Sequence, residues 1–175
     1  MNRPHPAGDP PADASAGPLP AAADRDLDVP PAILDELRAI CAGLPQALDE
    51  PAWAGTRWRI GTRTFAHVLM VVGGWPPVYA RAIGNDGPAC VLTFRSAGDD
   101  LEALTAIGDP FFRPVWGTRW TPHVMGTTIT ADTDWDEIAE LITESFRLLA
   151  PKRLAAQLTD RLPARADTDD TDAGA

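Results

Sequence analysis

Arg57-Trp58-Arg59-Ile60-Gly61-Thr62-Arg63-Thr64-Phe65-Ala66-His67-Val68-Leu69-Met70-Val71 is the passage from which the fold is read. Two runs rich in aromatic and β-branched residues flank a Gly-Thr pair, and a two-residue loop of that kind suits the primed turns that join antiparallel strands. The passage predicts a hairpin. A regular register across such a turn sets Trp58 opposite Phe65, turns Trp58 inward, and places Arg57 and Arg59 on the other face with Arg63 beside the turn.

Outward from the hairpin, Val78 to Ile83 and Ala89 to Arg95 read as two more strands, separated by the turn-forming Gly84-Asn85-Asp86-Gly87. His123 to Ala131 reads as a fifth strand, leading through Asp132 and Thr133 into a helix. Three segments carry helical spacing. In the first, Ile33, Leu34, Leu37, Ile40, Cys41 and Leu44 recur after Pro31 and stop at Gly43 and Pro45. The second begins near Asp99, read as its cap with Glu102 reaching back, and presents Leu101, Leu104 and Ile107 before Pro110. The third begins at Asp134, has Asp136 and Glu137 in its positive first turn, and shows Ile138, Leu141, Ile142, Ser145 and Leu149 along one side up to Pro151. The order is α-β-β-β-β-α-β-α. Consecutive strands are joined too tightly for parallel crossovers, so an α+β fold follows: an antiparallel sheet of about five strands with three helices on one face.

The 175 residues suit one domain. Residues 29–159 are its expected extent, because residues 1–28 and 160–175 are acidic tails, the first rich in Pro and Ala, with too few large apolar side chains to offset ordering entropy. Each tail holds two Arg and five Asp, so the ends carry −6 of the formal −10 and the middle −4. No apolar run approaches the roughly 20 residues that cross a bilayer, and Met1-Asn2-Arg3-Pro4 opens no signal peptide, so cytoplasmic residence is expected and no membrane partner. Cys41 and Cys90 sit among apolar neighbours and read as buried thiols.

Short stretches in a fixed order resemble the MmcQ/YjbR family of small bacterial proteins over about residues 31 to 158. They are Leu44-Pro45, Trp53-Ala54-Gly55, Trp58-Arg59-Ile60-Gly61 with Thr64-Phe65-Ala66, Phe111-Phe112-Arg113-Pro114, Trp135-Asp136-Glu137-Ile138 and Pro151-Lys152-Arg153-Leu154-Ala155. The resemblance implies a CyaY-like, that is frataxin-like, or secretion-chaperone-like domain, a DNA-binding role and no catalytic motif to carry over. Val115 to His123 departs from the family's usual entry into the fifth strand.

Catalytic constellations are absent from the sequence: no Walker loop, no dinucleotide-binding glycine pattern, no Gly-x-Ser-x-Gly elbow, no His-Glu-x-x-His helix. The expectation is a non-enzymatic protein with no cofactor and no metal. His67 and His123 read as ordinary strand histidines, and Glu137, Glu140 and Glu144 as a solvated helix face. Between residues 51 and 95, five arginines face the single Asp86, a local balance of +4. Two readings follow. In one, Arg57, Arg59, Arg63, Arg119, Lys152 and Arg153 grip a nucleic-acid backbone, weakly and with little sequence preference. In the other, Phe111, Phe112, Trp116 and Trp120 form an apolar patch of a protein-interaction or adaptor module, with homo-oligomers included. An open cationic sheet face favours DNA and a bare aromatic patch favours a partner protein; arginines each matched by a neighbouring acid leave only the fold assignment.

Overall fold

The computed structural model describes residues 28–116, 119–120 and 123–159, with backbone alone at 119–120 and 159. Both expected tails lie outside the described residues apart from Asp28. Along the described chain run α1 (Pro31–Ala42), β1 (Leu48–Pro51), β2 (Thr56–Ile60), β3 (Arg63–Val71), α2 (Pro77–Ile83), β4 (Ala89–Arg95) and α3 (Gly98–Ile107). They are followed by β5 (Phe111–Phe112), β6 (Val115–Trp116), β7 (Arg119–Trp120), β8 (Val124–Ile129), α4 (Trp135–Leu149) and α5 (Lys152–Thr159). Six strands form one antiparallel sheet in the order β1-β2-β3-β4-β8-β5, and β6 pairs with β7 in a separate ladder. No helix among the described residues is long and apolar enough to cross a membrane.

The α+β class and the antiparallel sheet are as expected; several details are not. Val78 to Ile83 is helix rather than strand. Pro77 occupies the first helical turn, where its missing N–H costs nothing, and Gly84 closes the helix at φ 71. Those end signals outweigh the β-branched and aromatic content of a seven-residue segment. Four further short strands and α5 also exceed the expected count of about five strands and three helices. At the start of α3 the cap residue is Ala97 without a side-chain bond, and Asp99 and Asp100 lie inside the first turn, so Asp99 is not the cap. Asp134 does cap α4, its Oδ1 accepting from the amides of Asp136 and Glu137.

Helices cover both faces rather than one. On the first, Leu37 of α1, Leu104 of α3, Ile142 and Phe146 of α4 and Leu154 of α5 pack on Val68, Leu92 and Met125 of the central strands. On the second, Leu69, Val71 and Val91 would lie bare without Val78, Tyr79 and Ala80 of α2. Strands β3 and β4 are therefore buried on both sides.

A β-bulge corrects the expected hairpin register. Ile60 pairs with Arg63 and Arg59 with Thr64, but Trp58 pairs with Ala66, so Phe65 is the extra residue. The insertion turns both Phe65 and Ala66 toward the α4 side, where the Phe65 ring meets Phe146 edge-on at 5.5 Å. A bulge leaves backbone groups without ladder partners, and Ser145 of α4 supplies one. Its hydroxyl donates to the Phe65 carbonyl at 2.5 Å and accepts from the Arg95 amide at 2.7 Å, in a site with no solvent exposure. Cys41 and Cys90 are buried free thiols, both pushed up to about 12 by desolvation.

Candidate functional site

Registers across the sheet place one residue of each strand in a single row on the second face: Glu50, Arg57, His67, Thr93, Gly126, Phe112. Alternation in β2 points Arg57 and Arg59 to this face while Trp58 enters the core, as expected from the sequence. At the Phe112 end, the ring lies directly on Gly126, where an added Cβ would sit 2.3 Å from it. Only glycine leaves the ring that room.

At the other end one carboxylate serves two cations. Glu50 Oε1 accepts from Arg57 Nε at 2.7 Å, and its Oε2 accepts from Arg59 Nη2 at 2.6 Å. The hydrogen bonds from Arg59 and Arg57 hold the Glu50 carboxyl below its usual value. One carboxylate thus bridges two guanidiniums of the same strand. The sequence window that counted +4 began at residue 51, one position past this acid.

Between the two ends sits His67, 8% exposed, its Nε2 2.6 Å from the Ala54 carbonyl, so the neutral ring donates there. Gly55, at φ +66, lets the Trp53-Ala54-Gly55 loop lie flat on β3: a Cβ would fall 1.9 Å from the Val68 carbonyl oxygen. Trp53 is thereby propped above the sheet, its ring edge-on to His67 at 6.1 Å and to Trp75 at 5.7 Å, yet 62% of it faces solvent.

Burial pulls His67 below its usual value, with the nearby Arg57 charge in the same direction and the Ala54 bond opposing. A depressed histidine refuses the proton that the unfolded chain accepts, so stability falls as pH drops through the unfolded value of about 6.5. Glu50 adds the same sign further down, where its ion pairs are lost. Denaturant midpoints should therefore decline between about pH 7.5 and about pH 5 in the native chain and decline less in His67→Gln. An equal decline in both would remove His67 as the cause.

The other expected residues divide. Arg63 Nη1 donates to the Leu149 carbonyl at 3.1 Å, which brings it to the α4–α5 corner where exposed Lys152 and Arg153 begin α5. Arg57 and Arg59 belong instead to the sheet face. Arg119 and Trp120 pair through backbone with Trp116 and Val115, and their side chains lie outside the described residues. Phe111 is buried, Phe112 and Trp116 are half-buried, and Trp116 packs edge-on against buried Tyr79 at 5.9 Å. Phe111 joins the core of the first face and Phe112 and Trp116 pack on the second, so the three do not form one bare patch. A separate open cleft of about 390 Å³ lies between the end of α2 and β5, lined by Ile83, Asn85, Asp109, Phe112, Thr128 and Thr130 among others.

Trp53 and Glu50 are the functional candidates that residue-by-residue reading passed over. Trp53 stood out only as part of the short Trp53-Ala54-Gly55 stretch, and Glu50 not at all.

The YjbR family model matches residues 42–148, a span that holds the whole row from Glu50 to Gly126. The chain belongs to the YjbR family. Among solved structures, the YjbR chain is similar to the crystal structure of Deinococcus radiodurans protein DR2400, whose domain is described as DUF419. The two share 18% identity over 72% of this chain and 87% of that one, with a TM-score of 0.49. No curated protein matches. Within the YjbR match, Trp53, Arg57 and His67 fall inside the shared domain, whereas Lys152 and Arg153 lie beyond its end.

Proposed function

We propose that this YjbR chain is a non-enzymatic interaction domain that captures an extended segment of a protein on the face around Trp53. The observation that carries the reading is the exposed indole of Trp53, held edge-on by Trp75 and His67 with Arg57 alongside. Tryptophan and arginine in one rigid patch are the side chains that dominate protein contacts, and a preformed loop spares the ordering cost of binding. The sharing of Glu50 by Arg57 and Arg59 works against the nucleic-acid reading, which needs uncompensated cations.

The test is peptide selection against the immobilised full chain, with Trp53→Ala as the counter-target. Enriched peptides should lose affinity by about tenfold or more on Trp53→Ala, the size of a modest hot spot. They should keep it on Ile107→Ala, an exposed apolar position on α3. Peptides indifferent to Trp53 would refute the reading.

A second reading keeps a specific support: Arg63, Lys152 and Arg153 gather at one corner. Three cations there would hold a polyanion weakly, with a salt dependence that follows the number of phosphates neutralised. Fluorescence anisotropy of labelled single- and double-stranded oligonucleotides at low salt tests it. The Lys152→Glu/Arg153→Glu variant should reduce the salt slope by about two if the corner binds. An unchanged slope, or no binding, discards it.

A further inference from the structure

We infer that His67 is a pH-sensitive latch on the Trp53-Ala54-Gly55 loop: a proton taken up at His67 releases the loop from β3 and withdraws the indole of Trp53. The device governs the face described above, and its consequence for capture rests on that reading. The loop is placed to move by itself. Residues 52–55 lie between Pro51 and Thr56, the last pair of the β1–β2 ladder, and take no part in the ladders, so they can lift with every rung of the sheet in place. Their own closing bond runs from the Ala52 amide to the Gly55 carbonyl at 3.0 Å. What fastens them to β3 is the His67 ring, whose Nε2 donates to the Ala54 carbonyl at 2.6 Å, with the Trp53 indole edge-on to it and Gly55 against the Val68 carbonyl.

The surroundings of the ring suit its neutral form. Its register partner on β2 is Arg57, whose guanidinium is bound to Glu50 of β1, and its partner on β4 is uncharged Thr93. Two positions along those strands stand Arg59, bonded to Glu50 and to the Gly61 carbonyl, and Arg95, bonded to the Thr64 carbonyl. Trp53 and Trp75 bring no charge from the loop side, and Asp86 lies against Gly74, next to Trp75 in the chain. With the Nε2 proton already given to Ala54, a second proton enters at Nδ1, for which no described residue stands as an acceptor. The imidazolium would be buried, beside the Arg57 charge and short of one partner, in keeping with the downward pull that burial and Arg57 exert on the ring. In the lifted loop the ring meets water and regains its ordinary value of about 6.5. Below that value the lifted form binds a proton that the covered form refuses, so acid favours lifting. While the covered ring stays neutral, the lifted share rises by up to about tenfold from about pH 7.5 to about pH 5.5.

Amide hydrogen exchange of the full chain reads the latch directly. Protection of the Ala52 amide, corrected for the intrinsic exchange rate at each pH, should fall by up to about tenfold over that interval and lie below the protection of the Val91 amide in the sheet core. His67→Gln, a neutral side chain that can still donate to Ala54, should remove the fall. Arg57→Gln, which takes away the charge opposing protonation, should shrink it. Equal protection at Ala52 and Val91 would show that the loop opens only with the whole sheet, and overturns the inference. So does Ala52 protection that ignores pH in the native chain, or a fall that persists in full in His67→Gln. Peptides captured through Trp53 should bind more weakly at about pH 5.5 than at about pH 7.5 in the native chain and equally well in His67→Gln. Undiminished binding by the native chain in acid overturns the inference too. A pH-sensitive Ala52 amide with no peptide that depends on Trp53 leaves the latch standing and removes the interaction face; the reverse pattern removes the latch and leaves the face.

Discussion

Ser145→Ala is expected to lower unfolding free energy by about 2–4 kcal/mol, a large fraction of the stability of a domain this size. The side chain lost is a small polar one, and its cost lies in what it leaves behind. Without the hydroxyl, the buried Phe65 carbonyl loses its donor and the Arg95 amide loses this acceptor, and an unsatisfied buried group costs about 1–3 kcal/mol. Thermal melts should shift down by about 4–16 °C at roughly 2–4 °C per kcal/mol. Ser145→Val, which refills the volume without a hydrogen bond, should be no better than alanine. A Ser145→Ala chain that melts within about 1 °C of the parent would show that the bulge does not depend on this helix.

Gly55→Val carries the second large effect, and it reaches function as well as stability. A Cβ at this position would meet the Val68 carbonyl oxygen at 1.9 Å, and the left-handed φ of +66 is hostile to a β-branched residue. Relief requires the loop to lift off β3, which breaks the Ala54–His67 bond and removes the prop beneath Trp53. A loss of about 3 kcal/mol or more is expected, together with Trp53-dependent binding. Gly61 provides the control: its φ is +58 but nothing lies within 4 Å of an added Cβ. Gly61→Ala should therefore cost only the conformational term of about 1–2 kcal/mol and leave Trp53 in place. Equal losses at the two positions in denaturant titrations would show that close packing on β3 is not the reason for Gly55.

The elements legible in the sequence are those whose period and end signals agree. The hairpin around Gly61-Thr62, strand Ala89–Arg95, and the Asp134-capped helix all declare both their pattern and their limits within their own residues. What escaped depends on distant partners. Leu48–Pro51, with two acids and a proline, carries no strand signal of its own, yet becomes an edge strand because β2 offers a ladder to it. Phe111–Phe112 is too short for periodicity and is a strand only beside Gly126. The bulge at Phe65 depends on Ser145, 80 residues away in sequence. For the candidate site, alternation correctly turned Arg57 and Arg59 away from the core, but local counting could not show that Glu50 would arrive across a strand pair to bind both. Trp53 illustrates the same limit, since exposure of an indole is a property of the packed loop and not of its neighbours in sequence.

The strand order also governs how the molecule is made. Strand β4 sits between β3 and β8, and β8 follows it only after α3 and the short strands, about thirty residues later. In a chain that folds as it is synthesised, the Cys90-Val91-Leu92-Thr93-Phe94 edge can pair on one side with β3 while its other row of amides and carbonyls stays open until β8 follows. A bare apolar edge of that kind is the surface on which nascent chains associate with one another. Yield from cells should accordingly be set by the delay before Val124–Ile129 leaves the ribosome, and substitutions that weaken β8 should reduce the amount of native protein recovered.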